Sequence, residues 1–124
     1  MKHILLVEDE EKLIDIVALV LRDEGYDVQK SLTAEEALRV APNFHPDLII
    51  SDMKMGEMDG FTLFEKVRSD KRIGKIPFIF LTALDDSSTK QKAQSLGATA
   101  YVTKPFDVME LISLVKTALI PAPR

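Results

Sequence analysis

The chain places an acidic run, Glu8-Asp9-Glu10-Glu11, a carboxylate at Asp52, a hydroxyl at Thr82 and an ammonium at Lys104 each directly or closely after a short apolar run. Asp52 poses the sharpest question, because a carboxylate at the mouth of a buried strand costs free energy unless something pairs with it. Three carboxylates about 5 Å apart repel by roughly 3 kcal/mol per pair at an effective dielectric of about 20, so such a cluster calls for a counter-charge. All-oxygen ligands suit Mg²⁺ or Mn²⁺, and a hydrated Mg²⁺ on one or two carboxylates commonly meets a phosphoryl group in its remaining positions. Each residue also has a plainer use. Asp9 suits a helix N-cap, Thr82 a strand-end hydroxyl tied to backbone, Lys104 a solvated charge, and Asp59-Gly60 a turn that caps a helix.

The elements that must hold these groups follow from period. Strands are expected at His3–Val7, Val28–Leu32, Leu48–Ser51, Phe78–Leu81 and Thr99–Val102, most of them apolar without the two-residue alternation of a half-exposed sheet. The first helical segment, about Lys12–Glu24, carries Leu13, Ile16, Val17 and Val20 toward the core and stops at Gly25. Ile14, Ala18 and Leu21 add a second apolar stripe, read as a docking face. A second segment opens with the capping box Thr33-Ala-Glu-Glu36 and stops before Pro42; a third runs from Gly60 to about Ser69 with Phe61, Phe64 and Val67 inward. The fourth, about Ser87–Leu96, has only Ala93 and Leu96 as apolar anchors, and the fifth opens with Asp107-Val-Met-Glu110 and buries Leu111, Val115 and Leu119.

Five such units of about 25 residues fit right-handed crossovers onto an open parallel sheet. The expected fold class is α/β: a doubly wound five-stranded parallel sheet, strand order 2-1-3-4-5, flavodoxin-like, with five helices. In that order ligands bind outside the carboxyl ends of the strands, at the reversal between the first and third, where the acids stand. Residues 1–120 are expected to form one domain, and residues 121–124, Pro-Ala-Pro-Arg, a tail or the start of a linker.

Composition narrows the function classes. The chain has no cysteine, which removes thiol catalysis, disulfides and thiolate metal sites, and its two histidines form no motif. A net charge of −4 without a basic stripe gives no footprint for direct nucleic-acid binding. No apolar run reaches bilayer length and no secretory signal opens the chain, so the expected location is cytoplasmic, with no membrane partner.

These residues carry a resemblance. Glu8-Asp9 after His3-Ile-Leu-Leu-Val7, Asp52 after Asp47-Leu-Ile-Ile, Met58-Asp59-Gly60, Thr82 after Phe78-Ile-Phe-Leu81, and Tyr101-Val-Thr-Lys-Pro-Phe106 stand at the spacing of response-regulator receiver domains of two-component signalling, chemotaxis receivers among them. The likeness runs over essentially the whole chain. It implies that Asp52 is the phosphoacceptor nucleophile, taking phosphoryl from a sensor histidine kinase or histidine phosphotransfer protein. It further implies that Asp9, Asp52 and the backbone carbonyl of Lys54 hold Mg²⁺, or Mn²⁺, with Glu8 acting mostly through a bridging water. Thr82 and Lys104 would receive the phosphoryl oxygens. Thr82 and Tyr101 would form the switch that alters the surface of the fourth helix, fifth strand and fifth helix, read by an output domain or downstream protein. The Lys104-Pro105 bond is typically cis in such domains.

Two departures are visible. Gly56 stands where many receivers have proline, and Thr99-Ala100 and Lys116 stand where one DNA-binding branch carries the acids and arginine of its dimer face. Apart from its own phosphoryl transfer and autodephosphorylation, the chain is expected not to be an enzyme. Rival readings are a phosphorylation-independent pseudo-receiver, an Mg²⁺-dependent aspartyl phosphatase and an FMN protein. The phosphatase needs a second acid two residues after the nucleophile, where Lys54 stands, and FMN needs a phosphate loop where this chain has four acids.

Overall fold

In the computed structural model, five parallel strands form one sheet in the order β2-β1-β3-β4-β5: β1 (His3–Val7), β2 (Asp27–Ser31), β3 (Leu48–Asp52), β4 (Phe78–Thr82) and β5 (Ala100–Thr103). The structure describes residues 1–53, 58–82, 91–92 and 94–120, with backbone alone at residue 82. Helices α1 (Glu11–Asp23), α2 (Ala34–Phe44), α3 (Gly60–Ser69) and α4 (Val108–Ala118) complete the doubly wound, flavodoxin-like arrangement. Here α4 is the fifth helical segment expected from the sequence. Of the fourth, residues 91–92 and 94–95 are helical, and 87–90 and 93 lie outside the described residues.

The register levels the carboxyl ends of the strands. Val7 lies between Ser31 and Ser51, Asp52 stands beside Leu81, and Thr82 beside Thr103. The residues that follow therefore meet on one edge.

Two apolar layers explain why the central strands read as continuous hydrophobic runs. Ile4, Leu6, Ile50, Ile79 and Leu81 face α1 and α4, while Leu5, Val7, Ile49, Phe78 and Phe80 face α2 and α3. A strand buried on both faces has no polar side to alternate with.

The rotation of α1 corrects the sequence reading. Its buried residues are Ile14, Val17, Ala18 and Leu21, whereas Ile16 is 54% and Leu19 60% exposed, and Leu13 and Val20 are half-buried. The stripe expected to dock a partner is the core face. Both stripes have helical spacing and differ by one residue, a turn of about 100° that periodicity alone does not decide. Polar ties to β2 accompany this rotation: Asp15 accepts from Lys30 at 2.7 Å, and Arg22 donates to the Val28 carbonyl at 2.9 Å.

Helix α2 also departs from expectation, running through Pro42 to Phe44. Proline in the last turn forfeits one backbone bond. Continuation is supported by the stack of Phe44 on His3, with ring centroids 4.9 Å apart, and by a 2.9 Å hydrogen bond between His3 Nδ1 and the Phe44 carbonyl. His45, at φ 54, closes the helix with its N–H on the Ala41 carbonyl. In α3, Leu63 joins Phe64 and Val67 in the core and Phe61 is half-buried; in α4, Ile112 joins Leu111 and Val115, with Leu119 packed at the margin. Thr33 caps α2 through the Glu36 N–H, and Asp107 caps α4 through the Met109 N–H. Strand β2 starts one residue earlier than expected, leaving Leu32 at the surface, and the Lys104-Pro105 bond is cis. Among the described residues, no helix is long and apolar enough to cross a membrane.

Candidate functional site

Glu8 and Asp9 follow β1, and Asp52 is the last residue of β3. One carboxylate oxygen from each lies within 4.8 Å of the others; Glu8 and Asp52 are buried and Asp9 is exposed. Lys104, just beyond β5, reaches into this group. Its Nζ donates to Glu8 Oε1 and lies 3.3 Å from Asp52 Oδ2, with the lysine side chain only 16% exposed.

Backbone donors fix the remaining oxygens. Asp52 Oδ1 accepts from the Met53 N–H at 2.8 Å, and Glu8 Oε2 accepts from the Glu10 N–H at 3.2 Å. The Met53 N–H also points at the Leu81 carbonyl, 2.9 Å away, so the acid at the strand end is tied to the same ladder that builds the sheet.

The electrostatics follow from burial. Desolvation pushes the Glu8 carboxyl up to about 7, with the neighbouring Asp52 charge adding to the rise and the bond from Lys104 opposing it. Burial alone would lower the Lys104 ammonium, but hydrogen bonding to Glu8 and the charges of Asp52 and Glu8 outweigh it and hold it above the usual lysine range. Three carboxylates around one ammonium leave an excess of negative charge. Oxygen-only donors so arranged fit a hard divalent cation such as Mg²⁺ or Mn²⁺.

The structure thus brings together Glu8, Asp9, Asp52 and Lys104. Lys54 and Gly56 lie outside the described residues, as does the Thr82 side chain; the Thr82 backbone ends β4. Tyr101 is half-buried on β5 and, like Phe61, Leu96 and Ala98, packs against the margin of the α2–α3 layer. The plain reading of Asp59 holds, since its carboxylate caps α3 by accepting from the Thr62 N–H at 2.8 Å. For Asp9 it does not: Glu10 occupies the N-cap of α1, without a side-chain cap bond. Sequence reasoning missed the direct Glu8–Lys104 bond and the Met53 N–H on Asp52. The first pairs residues 96 apart in the chain, and the second is a main-chain contact with no side-chain signature.

The chain matches the response regulator receiver domain model over residues 4–116 and belongs to that family. It is 37% identical over 119 residues to the DNA-binding dual master transcriptional regulator RpaA of Synechocystis, covering 96% of this chain and 49% of that one. It is also 37% identical over 118 residues to the alkaline phosphatase synthesis transcriptional regulatory protein PhoP of Bacillus subtilis, covering 95% and 48%. The chain therefore spans about half the length of these regulators. Among solved structures, the chemotaxis response regulator CheY4 of Vibrio cholerae superposes with a TM-score of 0.89 at 32% identity, over 96% of this chain and 99% of that one. This is a receiver domain of two-component signalling, a phosphorylation-activated switch in the general sense, and the two curated relatives named above are transcriptional regulators.

Proposed function

We propose that Asp52 is the phosphoacceptor and that Glu8, Asp9, Lys104 and Thr82 serve its phosphorylation. The observation that carries this is the setting of Asp52: a buried carboxylate at the mouth of β3, 3.3 Å from an ammonium and grouped with two further acids. Its Oδ2 attacks the phosphorus of a phosphohistidine; the new O–P bond forms as the N–P bond breaks, and the partner's imidazole leaves. Lys104 then exchanges part of its pairing with Glu8 for a phosphoryl oxygen, a charge-assisted bond. Glu8, Asp9, Asp52 and the Lys54 carbonyl would hold Mg²⁺, or Mn²⁺, which when bound supplies neutralisation of the phosphoryl oxygens. In this reading Thr82 would be the second donor to the phosphoryl oxygens and Tyr101 would respond to it, altering the surface of the fourth helical segment expected from the sequence, β5 and α4. Beyond this transfer and its own dephosphorylation the chain has no catalytic role.

The donor is a sensor histidine kinase or histidine phosphotransfer protein, and the readout an attached output domain or a downstream protein. The exposed face of α1, Ile16 and Leu19 with half-buried Leu13 and Val20, takes the donor-docking role once expected of Ile14, Ala18 and Leu21. The chain works in the cytoplasm and makes no nucleic-acid contact of its own, in keeping with its net charge of −4. Residues 1–120 constitute the receiver unit, and 121–124 a tail or the start of a linker. Incubation with radiolabelled acetyl phosphate and Mg²⁺ tests the proposal: the wild type should take up base-labile label and Asp52→Asn none. Equal labelling of both would refute it.

A further inference from the structure

Gly60 opens α3, and its backbone is not in the left-handed region that Gly25 and Gly97 occupy at φ 97 and 83. Conformational freedom is therefore not what this position requires. A Cβ built on Gly60 would lie 2.4 Å from the Asp52 carbonyl oxygen, 2.9 Å from Met53 Cα and 3.2 Å from the Asp52 carbonyl carbon. All three are backbone atoms, with no flexible side chain to swing aside. The Gly60 N–H meanwhile donates to the Met53 carbonyl at 2.8 Å. The first turn of α3 is thus seated on the main chain of Asp52 and Met53, and the Met53 N–H holds Asp52 Oδ1.

We infer that Gly60 is a positioning residue for the acceptor: its missing side chain lets α3 clamp the Asp52–Met53 peptide, which fixes the carboxylate with Oδ2 toward Lys104. The inference rests on Asp52 being the acceptor. Ordinary contact begins at 3.4 Å, so a methyl group at 2.4 Å must push α3 or the strand end by up to an ångström. A displacement of that size at a reacting atom costs on the order of 10²-fold in rate. Alanine is also the better helix former, so without the clash the substitution would strengthen α3 rather than weaken it.

The test compares Gly60→Ala with Asp59→Ala, which removes the Thr62 cap and weakens the same helix without crowding Asp52. Acyl-phosphate formation from acetyl phosphate and Mg²⁺ affinity by calorimetry are measured in both, with trimethylamine N-oxide added if either variant is poorly folded. Gly60→Ala should slow formation by on the order of 10²-fold and weaken Mg²⁺ several-fold, while Asp59→Ala stays within about twofold of wild type. Wild-type behaviour in Gly60→Ala, or equal losses in both variants, overturns the inference. If the wild type itself takes no phosphoryl group, the acceptor reading fails; the calorimetry still decides whether Gly60 positions the acids, an unchanged Mg²⁺ affinity in Gly60→Ala overturning it.

Discussion

Lys104 serves two buried carboxylates with one ammonium, hydrogen-bonding Glu8 and lying 3.3 Å from Asp52. Glu8 and Asp52 sit on the carboxyl edges of different strands, and Lys104 comes from beyond a third, so the contact exists only once the sheet is complete. With Asp9 close by, the cluster is short of positive charge.

Mg²⁺ should therefore stabilise the folded domain. A ligand at about 100 times its dissociation constant adds roughly 2.7 kcal/mol, a rise of several degrees in Tm for a domain of this size. Thermal melts across a Mg²⁺ titration should show that rise in the wild type and little of it in Asp9→Asn. The same rise in both chains would place the cation elsewhere.

The metal-free domain should lose stability as pH rises toward neutrality. Glu8 titrates at about 7 in the folded domain against 4.5 ordinarily, so the folded state holds its proton more tightly than the unfolded one. That contribution is complete below the ordinary value and is lost as pH rises through the folded one. Lys104, held above its usual range, stays charged throughout this window. Urea midpoints in chelator should fall from about pH 5 to about pH 8, and Glu8→Gln should flatten the slope. An unchanged slope in Glu8→Gln would assign the effect to other groups.

The two faces of α1 should separate folding from docking. Ile16 and Leu19 are 54% and 60% exposed, so glutamate at either should change stability by only about 0.5 kcal/mol. Phosphotransfer from a protein donor should slow by about tenfold or more, while acetyl phosphate phosphorylates the variants near the wild-type rate. Ile14, buried against the sheet, should instead cost about 3 kcal/mol or more as glutamate. Normal transfer to Ile16→Glu and Leu19→Glu would remove this face from the donor interface.

Much of this was legible in the sequence because it is written in short-range terms. Apolar runs gave the strands to within a residue or two, and the acids, Thr82 and Lys104 stood at strand ends whose convergence follows from the order of the sheet. The rotation of α1 was not legible, since both apolar stripes have helical spacing and the contacts that go with the observed one, Asp15–Lys30 and Arg22–Val28 among them, are tertiary. Pro42 misled because its cost in a last turn is small beside the His3–Phe44 stack. The seat of Gly60 on Asp52 was read only as a turn signal, because a close backbone approach leaves no mark beyond the glycine itself.

Phosphorylation and response should be separable at Thr82. Thr82→Ala should still form acyl phosphate yet lose the shift of the Tyr101 ring resonances and the change in amide exchange over residues 91–95. Lys104→Ala should leave some phosphorylation but weaken the response, if its ammonium holds a phosphoryl oxygen as proposed. A full Tyr101 response in Thr82→Ala would show that the signal takes another route.

The central claim is that Asp52 alone accepts the phosphoryl group, and its most direct test is mass spectrometry of the chain after acetyl phosphate, Mg²⁺ and borohydride trapping. Reduction should convert Asp52 to homoserine and leave Glu8, Asp9 and every other carboxylate untouched, with no product in Asp52→Asn. Trapped product at any other carboxylate, or product that persists in Asp52→Asn, would contradict the account.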